Sequence, residues 1–170
     1  MFLLTILPAG TEVFEGLDNG VPEPQTPGFV TITVLRRPRL ATNLNEINDA
    51  GDTIATTQST DIVVQMDVHN DDTLVSSDNA QIISTMFRDD YATTFFEGYP
   101  GISPLFADEP RLLPFVNAES QYEPRYTVEV HLQADQAVSV PAQSATSVEL
   151  DITNVETDPA FWPNSTVTAP

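Results

Sequence analysis

The chain predicts an α+β fold: an antiparallel or mixed β-sheet with one long α-helix packed on one face, a long β-hairpin extension and an irregular C-terminal arm. Residues 29–35, 61–69 and 126–132 alternate apolar and polar side chains, the period of half-buried strands. Between the second and third of these, Ile82, Ile83, Met86, Phe87 and Tyr91 recur at helical spacing. Strands and helix therefore come in separate runs rather than a regular βαβ alternation, which sets the helix on one face of a meandering sheet.

The chain begins Met1-Phe-Leu-Leu-Thr-Ile-Leu7, read as the last turns of a packing helix stopped by Pro8 and Gly10. This run is too short to span a bilayer. A secretory signal needs positive charge ahead of its apolar run, and the first basic residue is Arg36. Residues 11–15 read as a short strand, followed by a turn-rich linker through Asp18, Asn19, Gly20, Pro22 and Pro24. Within 29–35, Val30, Ile32 and Val34 share one face, with Thr31 and Thr33 on the other. Residues 43–60 are polar, with Leu44, Ile47 and Ile54 as their large apolar side chains. The turn signal at Asn48-Asp-Ala-Gly-Asp52 makes this stretch a projecting hairpin with its tip at 49–51.

In 61–69, Ile62, Val64, Met66 and Val68 face one way, and Gln65, Asp67 and His69 the other. Ser76, Ser77 or Asp78 caps the helix, which ends by Gly98 with Pro100 beyond it as a stop. Pro104, Pro110 and Pro114 then divide 104–126 into extended pieces with no room for a helix. Tyr126, Val128, Val130 and Leu132 of the next strand point inward, with Thr127, Glu129 and His131 outward. A last strand is expected at 148–155. The organisation is thus a single α+β domain over 1–156, with 43–60 as the projecting hairpin and 157–170 as the arm.

The chain has 170 residues, with 25 acids against 6 basic residues, all of them Arg, for a formal charge of −19. A surface of this charge repels DNA phosphates and anionic lipid, which disfavours sequence-specific DNA binding. The absence of Cys excludes a disulfide framework, thiolate catalysis and Cys-ligated zinc. His69 with Asp67, Asp71 and Asp72 has the residue types of a divalent-ion site. These residues lie on a polar strand face and in a strand–helix loop, without a closed ligand set, so a solvated loop is the expectation. Asp49, Gly51 and Asp52 lack the twelve-residue calcium pattern and its final Glu. Asp89-Asp90 offers no paired acid–base geometry. There is no Gly-x-Ser-x-Gly elbow, and without Lys there is no phosphate-loop lysine. No catalytic residue, cofactor or metal is expected, and the chain does not read as an enzyme.

What remains is surface. Arg36-Arg37-Pro38-Arg39 is the one concentrated positive charge, and guanidinium groups pair bidentately with carboxylates. Among identical acidic subunits this cluster suits a contact between subunits; the other reading is a local ion pair. The Pro-spaced apolar residues Leu105, Phe106, Leu112, Leu113 and Phe115 cover either the sheet edge or a neighbouring subunit. Phe161 and Trp162 either fold back on the chain's own core or anchor in a neighbour.

Several short motifs, in order, carry a resemblance. They are Gly10-Thr-Glu-Val13, Asp18-Asn19, Val21-Pro22-Glu-Pro24, Phe29-Val30 and Arg39-Leu-Ala-Thr-Asn43, then Gln65-Met-Asp-Val68. Later come Gly101-Ile102, Pro104-Leu105, Pro114-Phe115 with Asn117, Gln121-Tyr122-Glu123 before Arg125, and Val130-His-Leu132. In this pattern the chain resembles the tailed-bacteriophage neck (tail) terminator family, over nearly its whole length and least between 44 and 60. Family members carry a longer N-terminal helix where this chain has Phe2 to Leu7.

The resemblance implies a tail-terminator-like fold and a virion structural protein of the neck. It implies a homohexameric ring that caps the tail tube at its head-proximal end and stops tube polymerisation. The ring joins the tail to the head connector while DNA passes through. Implied partners are further copies of the chain, the tail-tube protein and the connector or neck protein, with the tail sheath as a further contact. No membrane is involved, and the protein passes from host cytoplasm to virion. The residues expected at such contacts are Arg36, Arg37, Arg39, Phe106, Leu112, Phe115, Tyr122, Arg125 and Trp162. The alternatives are a connector or tail-tube protein of related fold, and a monomeric binding module.

Overall fold

A computed structural model describes residues 1–17, 24–48, 50–116, 120 and 122–142. The expected strand at 148–155 and the arm at 157–170, including Phe161 and Trp162, lie outside the described residues. The element order is α1 (Leu3–Ile6), β1 (Glu12–Glu15), β2 (Phe29–Arg36), β3 (Leu44–Ile47), β4 (Thr53–His69), α2 (Thr73–Phe87) and α3 (Asp90–Phe96). Five strands follow: β5 (Ile102–Ala107), β6 (Arg111–Leu112), β7 (Phe115–Val116), β8 (Tyr122–Glu123) and β9 (Arg125–Pro141). The class is α+β. A mixed seven-stranded sheet runs β1-β2-β4-β9-β5, with β3 also on β4 and β6 also on β9. β1 is parallel to β2, and every other pair is antiparallel.

The single long helix expected over 76–98 is two shorter ones. Asp72 opens α2, its carboxylate accepting from the Leu74 amide at 2.8 Å, four residues before the first expected cap. Ser76 is fully buried, its hydroxyl turned back to the Asp72 carbonyl at 2.9 Å. The helix stops because Asp89 takes up the Tyr91 amide at 2.9 Å and starts α3, a short acceptor competing with the helical ladder. Gly101, at φ 81°, then turns the chain into β5, a backbone state that L side chains adopt at a cost.

The core lies between these helices and one sheet face. Leu3, Ile83 and Phe87 meet Val30, Val64, Met66, Val68, Val128 and Val130, the residues whose alternation marked them as inward. Full burial of each such side chain contributes roughly 1.5–3 kcal/mol. Phe2 joins this layer through its ring, packed against Phe87, Tyr91, Phe95 and Phe96 at centroid distances of 5.4–6.2 Å.

The opposite sheet face is less solvated than alternation implies. Asp67, His69, Thr127 and His131 are buried. Cross-strand register explains this. Phe29 pairs with His69 and lays its ring on the imidazole at 4.3 Å, and Phe106 does the same to His131 at 4.0 Å. Asp67 is satisfied by Thr127 at 2.6 Å and Gln65 at 2.8 Å.

The extension expected over 43–60 is also built differently. β4 and β9 are 17 residues each and pair along their whole length, from Thr53↔Pro141 to His69↔Arg125. β3 adds a short third strand to the first residues of β4. Asn48 closes the turn between them, accepting from the Asp52 and Thr53 amides at 3.1 and 3.2 Å. Two strands alone are marginal in water, and a third gives the ribbon its independent backbone pairing.

Candidate interaction surfaces

Within the described residues of 53–61 and 133–141, no residue is buried, so this three-stranded ribbon has water on both faces. At 3.3 Å per residue, Thr53 to Thr60 spans roughly 23 Å. The inner edge of β4 is closed at every level. Above β2, the Asp61 amide donates to the Pro38 carbonyl at 2.9 Å, Arg39 bridges Thr60, the Leu40 amide donates to Ser59, and β3 continues the row. The outer edges are another matter. Among the described residues, β3 has no strand on its far side, and β9 has none beyond Ala134, where β5 ends its pairing. Leu44, Ile47, Val138 and Val140 on these edge strands are 47–65% exposed.

The arginine cluster flanks the base of this ribbon. β2 ends in a register shift between Val34 and Arg36, and the chain then passes Arg37 and Pro38 to the Arg39 bridge. Arg36, Arg37 and Arg39 are all exposed. Arg39 donates to the Asn43 side chain at 2.7 Å, and none of the three makes an ion pair among the described residues. The chain's other three arginines do. Arg88 meets Glu109 at 3.1 Å and Arg111 meets Glu129 at 3.0 Å. Arg125 lies 4.0 Å from Asp67 while its Nε donates to the Leu113 carbonyl at 3.1 Å. The positive charge left without an acid among the described residues is thus concentrated at 36–39, and Arg125, also expected at a contact, has partners inside its own chain.

The Pro-rich block covers the sheet edge with its backbone and leaves several of its large apolar side chains partly exposed. β5 pairs with β9 across a register shift between Pro104 and Phe106, where a residue without an amide donor is tolerated. β6 pairs Arg111 with Thr127 and Leu112 with Tyr126. Leu105, Phe106, Leu112, Leu113 and Val116 remain 41–54% exposed, and Tyr122 is 80% exposed. Phe115 pairs with Glu123 through the backbone of β7 and β8. Sequence reasoning did not single out Arg88, Arg111, Asp61 or Glu109. Their partners lie 18 to 70 residues away in the chain, a separation no local pattern reports.

Three of the carboxylates weighed as metal ligands, Asp52, Asp67 and Asp72, have protein partners. Asp72 caps α2, and Asp67 sits in the Gln65–Thr127 network. Asp52 accepts from Asn48 at 2.7 Å, a bond that holds its carboxyl below the usual range. Asp49 lies outside the described residues. His69 is depressed from its ordinary value by burial, which penalises the imidazolium.

Among the described residues the prominent features of these surfaces are strand edges, exposed apolar side chains and guanidinium groups without an ion pair. A family model, the phage neck terminator protein, matches residues 2–158. The chain belongs to the phage neck terminator family. Its role is structural and its place is the neck of the virion. No curated protein matches the chain. No helix among the described residues is long and apolar enough to cross a membrane.

Proposed function

We propose that this neck terminator forms a closed ring of identical subunits, a homohexamer, on the last ring of the tail tube. There it stops tube polymerisation, joins the tail to the head connector and leaves a lumen through which DNA passes. The observation that carries this reading is the ribbon of β3, the first half of β4 and the second half of β9. It has no buried residue among those described, and both of its outer edges lack a strand partner there. A sheet edge is a row of unsatisfied donors and acceptors, ready to pair with another chain. Pairing β3 of one subunit with β9 of the next joins two different patches. Such a heterologous contact gives a ring when its rotation closes.

The arginines at 36, 37 and 39 then meet an acidic patch of the neighbour, and the apolar block with Phe106, Leu112, Phe115 and Tyr122 packs on a subunit, the tube or the connector. Trp162, the tail sheath and the exposed part of Arg125, whose side chain is 31% exposed beside its internal partners, complete the proposed contacts. A lumen lined with carboxylates repels DNA and lets it pass without sticking.

Reversing the arginines tests this. Arg36→Glu, Arg37→Glu and Arg39→Glu together move the charge by two each, from −19 to −25. The sites are exposed, so monomer stability stays within about 0.5 kcal/mol per site. Sedimentation of the wild type with tail tubes should show a capped tube with a ring, and the variant should stay a folded monomer. Assembly by the variant, or a wild type that remains monomeric beside tubes, overturns the proposal.

A further inference from the structure

We infer that Asp108, Glu129 and His131 bind a divalent transition-metal ion, with Asp61 as the positioning residue behind the imidazole. One ligand atom from each of the three lies within 4.8 Å of the others. Register brings them together. Glu129 and His131 are two apart on β9 and share a face, and the Asp108 amide donates to the Glu129 carbonyl at 2.7 Å just after β5.

The state of His131 separates this group from an ordinary acidic surface. It is 6% exposed, and Phe106 covers its ring at 4.0 Å. Its Nδ1 lies 2.9 and 3.0 Å from the two oxygens of Asp61. A proton on Nδ1, donated to Asp61, leaves the Nε2 lone pair for a metal. A carboxylate behind a ligating histidine fixes its tautomer and ring orientation in this way.

One imidazole with two carboxylates suits zinc, manganese and their neighbours rather than magnesium or calcium, which prefer all-oxygen shells. Arg111 is the resident cation, 3.0 Å from Glu129, with a side chain 59% exposed that is able to swing aside. A bound ion replaces that single charge and ties the start of the 108–123 segment to β9.

Titration of the full chain with Zn²⁺ at high salt, by calorimetry and by thermal unfolding, tests the inference. The expected result is one Zn²⁺ per chain and a Tm that rises with zinc concentration, with no rise from Mg²⁺ at equal concentration. Asp108→Asn and Asp61→Asn should each weaken zinc roughly 10- to 100-fold. Arg111→Gln removes the competing cation and should tighten it, an outcome that a misfolded variant or diffuse binding would not give. Absence of zinc binding, equal responses to Zn²⁺ and Mg²⁺, or zinc affinity unmoved by Asp108→Asn and Arg111→Gln overturns the site.

Discussion

Replacing Phe2 by Ala removes the ring around which the helical layer is assembled. Phe2 is 6% exposed and touches four other aromatic rings: Phe87 at 5.9 Å, Tyr91 at 6.2 Å, Phe95 at 5.4 Å and Phe96 at 5.8 Å. Truncating a buried Phe costs about 3–5 kcal/mol, as lost transfer energy plus a cavity that the surroundings fill only in part. The upper half of that range applies here, because two helices and α1 all converge on the ring. α1 has four residues, too few to be helical alone, so its place depends on Phe2, Leu3 and Leu7. Against a total stability of about 5–15 kcal/mol this is a third or more of the margin in all but the most stable case. Urea unfolding followed by far-UV circular dichroism should show a lower midpoint at an unchanged slope. Leu4→Ala, at a position 57% exposed, is the control and should shift stability by less than about 0.5 kcal/mol. A Phe2→Ala loss under about 1 kcal/mol, that of an average substitution, refutes the packing argued for the chain's start.

Asp72→Ala leaves the Leu74 amide without its acceptor and should cost about 0.5–2 kcal/mol in the same unfolding assay, with Asp72→Ser recovering most of it; equal losses in both variants would assign the effect elsewhere. His69 titrates below its ordinary 6.5 because burial opposes its charge. Below pH 6.5 the unfolded chain therefore binds the proton more readily than the folded one, and this part of the stability, complete above 6.5, is lost as pH falls toward the folded value. Unfolding between pH 7 and pH 5 should show that loss, and His69→Gln should remove it; a variant with the wild-type slope rules the histidine out. Leu44→Lys with Ile47→Lys changes two exposed edge residues and should leave the monomer within about 0.5 kcal/mol per site while abolishing assembly in sedimentation. Rings formed by this variant would exclude β3 as an assembly edge.

Local chemistry in the sequence was enough for the class of fold and for the apolar faces. Val30, Val64, Val68, Val128 and Val130 sit inward because a strand's side-chain period is two, whatever it pairs with. The break between α2 and α3 was written locally as well, in Asp89 after Arg88, but the apolar period runs through it. The acceptor on Asp89 and the Ala107 carbonyl that draws in Arg88 outweigh that period. The motif order that placed the chain among neck terminators was likewise a property of the sequence.

Pairing partners decided the rest. Residues 53–60 looked like half of a hairpin because their neighbours in sequence are polar, yet their main partner is 134–141, more than 70 residues away. The strands are twice as long as alternation suggested, since a solvated ribbon has no buried face to impose alternation. Polar side chains at 67, 69, 127 and 131 read as solvent-facing, and were buried by rings that cross-strand register laid over them. The three arginines without an acid among the described residues are the same case. Their sequence showed a cluster, and only the folded chain showed which of the six already have an acid. Sequence by itself determined side-chain period, charge and family. The tertiary structure decided which edges stay open, which charges stay unpaired and which polar groups meet, because each depends on segments brought together only by folding.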